Sequence, residues 1–331
     1  MATSHLSDAQ GMRRKLEMAY VAPDRTAGAH ALFGGECNRV GHGSISQRFH
    51  DGIVPARSAH YIPCMNAPTA PPLLLTAHAG GVLRLILNRP NARNALSSEL
   101  IASLKSALDS AAADNATRVI VIAAEGPVFS SGHDLKELAR HRADGDAGRA
   151  AYAALFTQCS DMMQAIVRNP KPVIAQVQGI ATAAGCQLVA SCDLAVASSA
   201  ARFATPGVDI GLFCSTPMVA LSRNIGRKAA MEMLLTGEMV DGDKAVQIGL
   251  INKVVAPENL EDEVLLIARK IASKPRGTLK IGKEAFYRQL EMPLAEAYAC
   301  ASQVMTQNML EGEASEGISA FLEKRTPKWP S

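Results

Sequence analysis

The sequence predicts an α/β core followed by a helical C-terminal part. Two observations predict it. Short continuous apolar runs of the kind found in buried strands, such as "RVIVIAAEG" and "KPVIAQVQG", alternate with helical stretches up to about residue 257. From Glu258 onward nearly everything reads as helix.

The elements follow in order from near Leu73. "GVLRLILNRP" reads as a strand ended by Pro90. "SSELIASLKSALDSAAA" reads as a helix with Ser97 as N-cap, Glu99 in its first turn, and Leu100, Ile101, Leu104, Ala107 and Leu108 on one face. "RVIVIAAEG" is a buried strand, and the loop "PVFSSGHDLKEL" leads from it into a helix. Tyr152 to Arg168 is helical and stops before "NPKP". "KPVIAQVQG" is a strand, "AAGCQLVASCDLA" a glycine-containing loop running into a short helix, and "DLAVAS" a strand again. Met218 to Leu235 is helical with a break at Gly226 and a stop at Gly237, and "LINKVV" is a short strand. The expected organisation is a poorly ordered extension over 1–72, a core over 73–257 and a helical subdomain over 258–331.

Composition narrows the function. The chain has 331 residues, 48% hydrophobic and 20% charged, enough for a large core. A formal net charge of +3, with no long Lys/Arg cluster, argues against nucleic acid as a partner. No apolar run reaches the length of a membrane span. Cys37, Cys64, Cys159, Cys186, Cys192, Cys214 and Cys300 form no CxxC pair and are odd in number, which fits reduced thiols in a cytoplasmic compartment. No His/Cys/Asp/Glu group has zinc-ligand spacing, so no metal is expected. The first 72 residues end in the linker "MNAPTAPPLL" and lack the apolar region of a secretory signal. Asp8, Glu17, Asp24, Glu36 and Asp51 sit poorly with a mitochondrial transit peptide, and Met65 stands before the patterned region as an alternative start.

Two loops draw the chemistry together: "FSSGHDLKEL" and "IATAAGCQL". Gly132 and Gly185 open backbone angles closed to other residues, and Ser131, Ala183 and Ala184 let a ligand reach the main chain. Amides at a helix start are unpaired and partly positive, so two converging starts would hold an anionic oxygen. Each loop alone reads first as an ordinary tight strand-to-helix turn, since turns of small residues are common. GxGxxG, Walker A and GxSxG patterns are absent.

The motifs "LNRPNARNALS", "VFSSGHDLKEL", "IATAAGCQLVASCDLAVAS", "FATPGVDIGL", "MEMLLTGEMVDGDKAVQIGLINKVV" and "FLEKR" occur in this order. Together they closely resemble the enoyl-CoA hydratase/isomerase (crotonase) superfamily from about Leu73 to the C-terminus. The resemblance implies a crotonase (ClpP-like) spiral of ββα units with a helical C-terminal trimerisation subdomain, assembled as a homotrimer or hexamer. It implies an acyl-CoA thioester as ligand, with no cofactor beyond the coenzyme A of the substrate, and a place in fatty-acid or acyl-CoA metabolism. In a eukaryote the mitochondrial matrix becomes the alternative compartment. It places the thioester oxygen on the main-chain N–H groups of His133 and Ala184. Coenzyme A is expected to touch Ala92, Arg93 and Ala95, then Ser131, Asp134, Leu135 and Lys136, with Phe321 and Lys324 completing the site. Arg93 and Lys324 are readable equally as phosphate contacts or as solvated surface cations.

The chain departs from that family where the proton carriers belong. The two hydratase glutamates are replaced by Gln187 and Gly207. An amide has no useful pKa and glycine has no side chain, so efficient hydration is not expected. His133 and Asp209 are the remaining titratable candidates, Asp209 on the premise that it shares a strand face with Gly207. Cys186, Cys214, Ser130, Ser131, Ser215 and Thr216 have structural roles that suffice to explain them. Two readings from different classes stay open: an enzyme of other enolate chemistry (isomerisation, decarboxylation or thioester hydrolysis), and a non-catalytic acyl-CoA binder.

Overall fold

The computed structural model describes residues 71–329. The extension over 1–72, Cys37, Cys64 and Met65 lie outside the described residues, apart from Pro71 and Pro72. β1 (Leu74–Ala79) and β2 (Val82–Leu87) form an antiparallel hairpin. Its turn is Gly80–Gly81, with φ of 58° and 80°, the left-handed region glycine enters without a Cβ clash. Sequence reading finds only β2, because most of β1 is exposed and has no apolar alternation. Ser97 caps α1 (Ser98–Ala113) as expected: its side chain accepts the Leu100 N–H at 3.3 Å, and Leu100, Ile101, Leu104 and Leu108 are fully buried.

The chain then winds between two sheets. β3 (Val119–Ala124) joins β2 in the larger sheet, and β4 (Val128–Ser130) begins the smaller one. After α2 (Leu135–Arg140) and α3 (Arg149–Val167), β5 (Val173–Val177) pairs with β3 and β6 (Ile180–Thr182) with β4. After α4 (Ala184–Ser191), β7 (Leu194–Ser198) pairs with β5 and β8 (Arg202–Ala204) with β6. All these pairings are parallel, so every turn lays one strand on each sheet in the same direction. That is a spiral of ββα units. The runs "VIVIAA" and "VIAQV" are buried on both faces, which is why they read as continuous apolar stretches.

A 3₁₀ turn over Pro206–Ile210 leads to α5 (Ser215–Asn224) and α6 (Arg227–Thr236), the latter ending at Gly237 with φ 67°. β9 (Val240–Asp241) closes the smaller sheet against β8. α7 (Gly242–Gln247) and β10 (Lys253–Val255) follow, and β10 completes the larger sheet in the order β1-β2-β3-β5-β7-β10. The helical part begins inside the core. α8 (Leu260–Ala272) buries Leu260, Val264 and Ala268 on Val82, Val119, Val121, Ile174 and Val196 of the larger sheet. α9 (Arg276–Gln289) and α10 (Leu294–Met309) have no fully buried residue, and α11 (Gly312–Leu322) has only Ala320. Among the described residues no helix is long and apolar enough to cross a membrane.

Candidate active site

The first loop is set by the segment before α1. Arg93 and Asn94 both take left-handed φ, 54° and 49°. Asn94 is fully buried: its Oδ1 accepts the Arg89 N–H at 2.7 Å, and its Nδ2 donates to the carbonyls of Glu125 and Val128. The Ser130 hydroxyl donates to the Asn94 carbonyl at 2.9 Å, and the Ser131 N–H to that of Arg93 at 3.1 Å. Sequence reasoning misses Asn94. Its one signal is that asparagine tolerates the left-handed region better than most residues.

Leu96 runs beside Gly132–Asp134 as an isolated parallel bridge to His133. Leu96 N–H donates to Gly132 O at 2.7 Å, and Asp134 N–H to Leu96 O at 3.3 Å. Successive main-chain amides of an extended segment face opposite sides. His133 N–H is therefore turned away from Leu96. Asp134 anchors the helix side: its carboxylate accepts the N–H groups of Lys136 and Glu137 and pairs with Arg89 at 3.0 Å. Burial would raise this carboxyl, but Arg89 and the two amides outweigh it and hold it below its ordinary value. Glu137 reaches back to accept the Ser98 N–H and hydroxyl, tying the loop to α1.

The second loop is strained. Ala183, before the first turn of α4, has φ 50° and ψ −119°, a conformation costing about 1–3 kcal/mol for a residue with a Cβ. Its N–H donates to Ala204 O at 2.9 Å and its carbonyl accepts Gln187 N–H at 3.0 Å. The twist leaves Ala184 N–H outside both bonds. Among the described residues neither Ala184 N–H nor His133 N–H has an acceptor.

The two loops interlock through their glycines. A methyl at Gly132, whose φ is 88°, would lie 2.9 Å from the Ala183 Cβ and 3.1 Å from the Ala184 nitrogen. One at Gly185 would lie 2.3 Å from the Ser130 carbonyl oxygen. Each loop fits only because the other presents no side chain there.

Around these amides, Gln187 is 4% exposed and its Oε1 has no partner. His133 stacks edge-on against Phe156 at 5.3 Å, and both its ring nitrogens are buried without a hydrogen bond. Burial pushes the imidazole pKa down; Leu96 O and Glu137 favour the charged ring without bonding to it. Gly207 is buried, and a Cβ there would meet the Leu212 carbonyl oxygen at 2.6 Å and the Cys214 Sγ at 2.8 Å. Burial pushes the Cys186 thiol up to about 12 and raises that of Cys214, so both are poor nucleophiles.

Asp209 requires a correction. Residues 206–210 form a 3₁₀ turn, not a strand, so Asp209 does not share the face of Gly207. It is exposed, with its carboxylate beside Gly237 at the end of α6. The expected coenzyme contacts divide. Ala95 is buried, while Ala92, Ser131 and Asp134 are half-buried around the first loop. Arg93, Leu135 and Lys136 are exposed beside it. Phe321, 82% exposed, and Lys324 lie at the C-terminal end of α11 on the surface of the single chain.

Comparison with known proteins gives the following. The family described as "Enoyl-CoA hydratase/isomerase" matches residues 77–331. "Enoyl-CoA hydratase domain-containing protein 3, mitochondrial" of Rattus norvegicus is 50% identical over 259 residues, 78% of this chain and 85% of the relative. The crystal structure of human enoyl-CoA hydratase domain-containing protein 3 is 49% identical with a TM-score of 0.74, over 78% of this chain and all of the other. That of an enoyl-CoA hydratase from Mycobacterium smegmatis is 54% identical with a TM-score of 0.75, over 78% of this chain and 99% of the other.

Proposed function

The chain belongs to the enoyl-CoA hydratase/isomerase family, and from that premise we propose that it binds an acyl-CoA thioester in fatty-acid or acyl-CoA metabolism. The thioester carbonyl oxygen sits on the N–H groups of His133 and Ala184. One observation carries this reading. Gly132 packs so closely on the second loop that its missing Cβ would be 3.1 Å from the Ala184 nitrogen, while both amides lack acceptors. Two aimed donors in a dry site stabilise negative charge developing on a thioester oxygen, and losing one such donor costs about 3 kcal/mol of barrier in enzymes of this logic.

Efficient hydration needs a group that moves a proton to and from water. Gln187 cannot, and position 207 has its side-chain space filled by Leu212 and Cys214. The reading is tested by calorimetry and by rate. Butyryl-CoA is expected to bind the wild-type chain, and Gly132→Ala to lose that binding. Hydration of crotonyl-CoA is expected to stay far below the usual turnover of about 1–1,000 per second. No binding by the wild-type chain overturns the acyl-CoA reading, and ordinary turnover overturns the claim about the missing acids.

A second reading makes the protein an enzyme of other enolate chemistry. The buried, unbonded imidazole of His133 favours it, because burial keeps the ring neutral and able to accept a proton. Loss of turnover on a decarboxylation, isomerisation or hydrolysis substrate in His133→Asn, with retained affinity, supports it. Retained turnover leaves the binder. The relative's name favours a mitochondrial compartment over the cytoplasmic one. Self-association as a trimer or hexamer is part of the same proposal. It is supported by the exposed apolar residues of α9–α11, and sedimentation equilibrium at a single chain mass would refute it.

A further inference from the structure

A second constellation lies away from the loops, at the N-terminal edge of the larger sheet. Arg118 immediately precedes β3 and Lys171 stands two residues before β5; the two strands pair in parallel, so these residues end up side by side. Arg276 and Lys280, one turn apart on α9, face them. The four cations line one hollow of about 100 Å³, and no Asp or Glu lines it with them.

Counter-charges are absent here while they are present elsewhere. Arg84 pairs with Glu261, Lys105 with Asp109, Lys253 with Glu263 and Arg325 with Glu316. Among the described residues, none of Arg118, Lys171, Arg276 and Lys280 has a carboxylate partner. The two acids whose fields reach the cluster are committed. Asp114 accepts the N–H groups of Ala116 and Thr117 and the Thr117 hydroxyl. Glu313 accepts the N–H groups of Gly277 and Thr278 and the Thr278 hydroxyl.

What partners the cations have are neutral oxygens. Lys171 donates to the carbonyls of Ala111 and Asp114, Arg118 to that of Lys274 at 2.6 Å, and Arg276 to the carbonyl and side chain of Asn115. A guanidinium carries five N–H donors and an ammonium three. Each of the three therefore keeps donors in hand, and Lys280 donates to no acceptor among the described residues. Like charges gathered round a partly enclosed space repel unless an anion neutralises them. A space of about 100 Å³ is roomy enough for several waters and therefore for one tetrahedral oxyanion.

We propose that this hollow is a binding site for a phosphoryl group, free or as a monoester whose organic part projects outward, held by Arg118, Lys171, Arg276 and Lys280. Guanidinium forks match phosphate oxygens bidentately, and the ammonium groups add charge at shorter range. Because two of the cations belong to the sheet and two to α9, the bound anion clamps α9 to the core. Binding to the folded chain alone then raises its unfolding temperature.

The test uses the full chain at constant ionic strength. Inorganic phosphate and glycerol 3-phosphate are titrated calorimetrically, with chloride as control, into the wild type and into the Arg276→Gln/Lys280→Gln double variant. Both substituted side chains are exposed, so the variant is expected to fold. The expected result is binding by the wild type, a rise in unfolding temperature with phosphate, and affinity lower by roughly tenfold or more in the variant, in keeping with the loss of charged hydrogen bonds. Tighter binding of glycerol 3-phosphate points to a monoester as the ligand, and tighter binding of inorganic phosphate to the free ion. Absence of binding by either probe, or equal affinity in wild type and variant, overturns the proposal.

Discussion

At Gly132 the absence of a Cβ decides whether the two loops can pack against each other. The residue needs both a left-handed φ of 88° and the space beside Ala184 N. Gly80 needs only the first: its φ is 58° and nothing lies within 4 Å of where its Cβ would be. The pair isolates the two effects. Gly80→Ala is expected to cost about 1–2 kcal/mol in urea unfolding and to leave acyl-CoA affinity alone. Gly132→Ala is expected to cost more and to abolish binding, since strain and a clash with the Ala184 amide add. Equal behaviour of the two variants would count against the interlock. Position 207 carries the opposite lesson. Restoring an acid there as Gly207→Glu forces a Cβ to 2.6 Å from the Leu212 carbonyl. Overpacking of that kind costs about 1–3 kcal/mol, so the variant is expected to unfold at lower urea and to gain no hydratase turnover. A measured gain would show that the Leu212–Cys214 turn yields. Gly132 was legible as a turn glycine from its letters, whereas the Gly80–Gly81 turn went unread with β1, and Gly185 is required not by a left-handed φ but by the Ser130 carbonyl oxygen 2.3 Å from where its Cβ would lie. Ala183 was not legible: nothing in its own chemistry asks for a φ of 50°, which the bonds to Ala204 and Gln187 impose.

At the scale of elements, α9 needs an anchor, because it has no fully buried residue of its own. Lys283 provides it. Its ammonium donates to Asp193 at 2.6 Å and to the carbonyls of Ile166 and Lys171, while the Tyr287 hydroxyl donates to the other Asp193 oxygen at 2.8 Å. Asp193 also accepts the Val173 N–H at 2.7 Å, so a start of the larger sheet and α9 share one carboxylate. Burial pushes the Lys283 pKa down and Asp193 opposes it, the pattern of a charge kept in the interior by its partner. Removing one member of such a pair costs about 3–5 kcal/mol. Lys283→Met is expected to fall in that range in urea unfolding, and Lys283→Met/Asp193→Asn to cost less than the sum of the single variants. Additive losses would mean the two residues act separately. None of this was visible in the sequence, where Asp193 and Lys283 are 90 positions apart. The elements themselves were legible wherever apolar period and caps agreed, as at Ser97 and Gly237. They were not where a strand lies exposed, as in β1, or where tertiary contacts tighten a presumed strand into a 3₁₀ turn, as at Asp209.

For the molecule as a whole, the spiral explains why the two loops meet. β4 and β6 pair in parallel, so the chain leaves both at the same edge of the smaller sheet, and each exit opens a helix. The order of strands and helices was enough to expect an α/β core with a helical C-terminal part, and the spiral came from the family resemblance; the meeting of two edges depends on strand pairing, which no local pattern records. The assembled chain should also be acid-labile in two phases, and the signs follow from the site. Burial holds the His133 pKa below its ordinary value, so the folded chain keeps the ring neutral. Its contribution is present above the unfolded value near pH 6.5 and is lost as pH falls toward the folded value. Asp134 and Glu313 also titrate low: burial would raise each, but Arg89 with the α2 amides, and the α9 amides, outweigh it. Their contributions are present above about pH 4 and disappear below it. The urea midpoint is therefore expected to be flat from pH 8 to about 7, to dip through pH 6, and to fall again below pH 4. His133→Asn is expected to erase the first dip alone, and Glu313→Gln to shrink the second. A midpoint that rises between pH 7 and pH 5 would contradict the neutral, buried imidazole on which the enolate reading of the site rests.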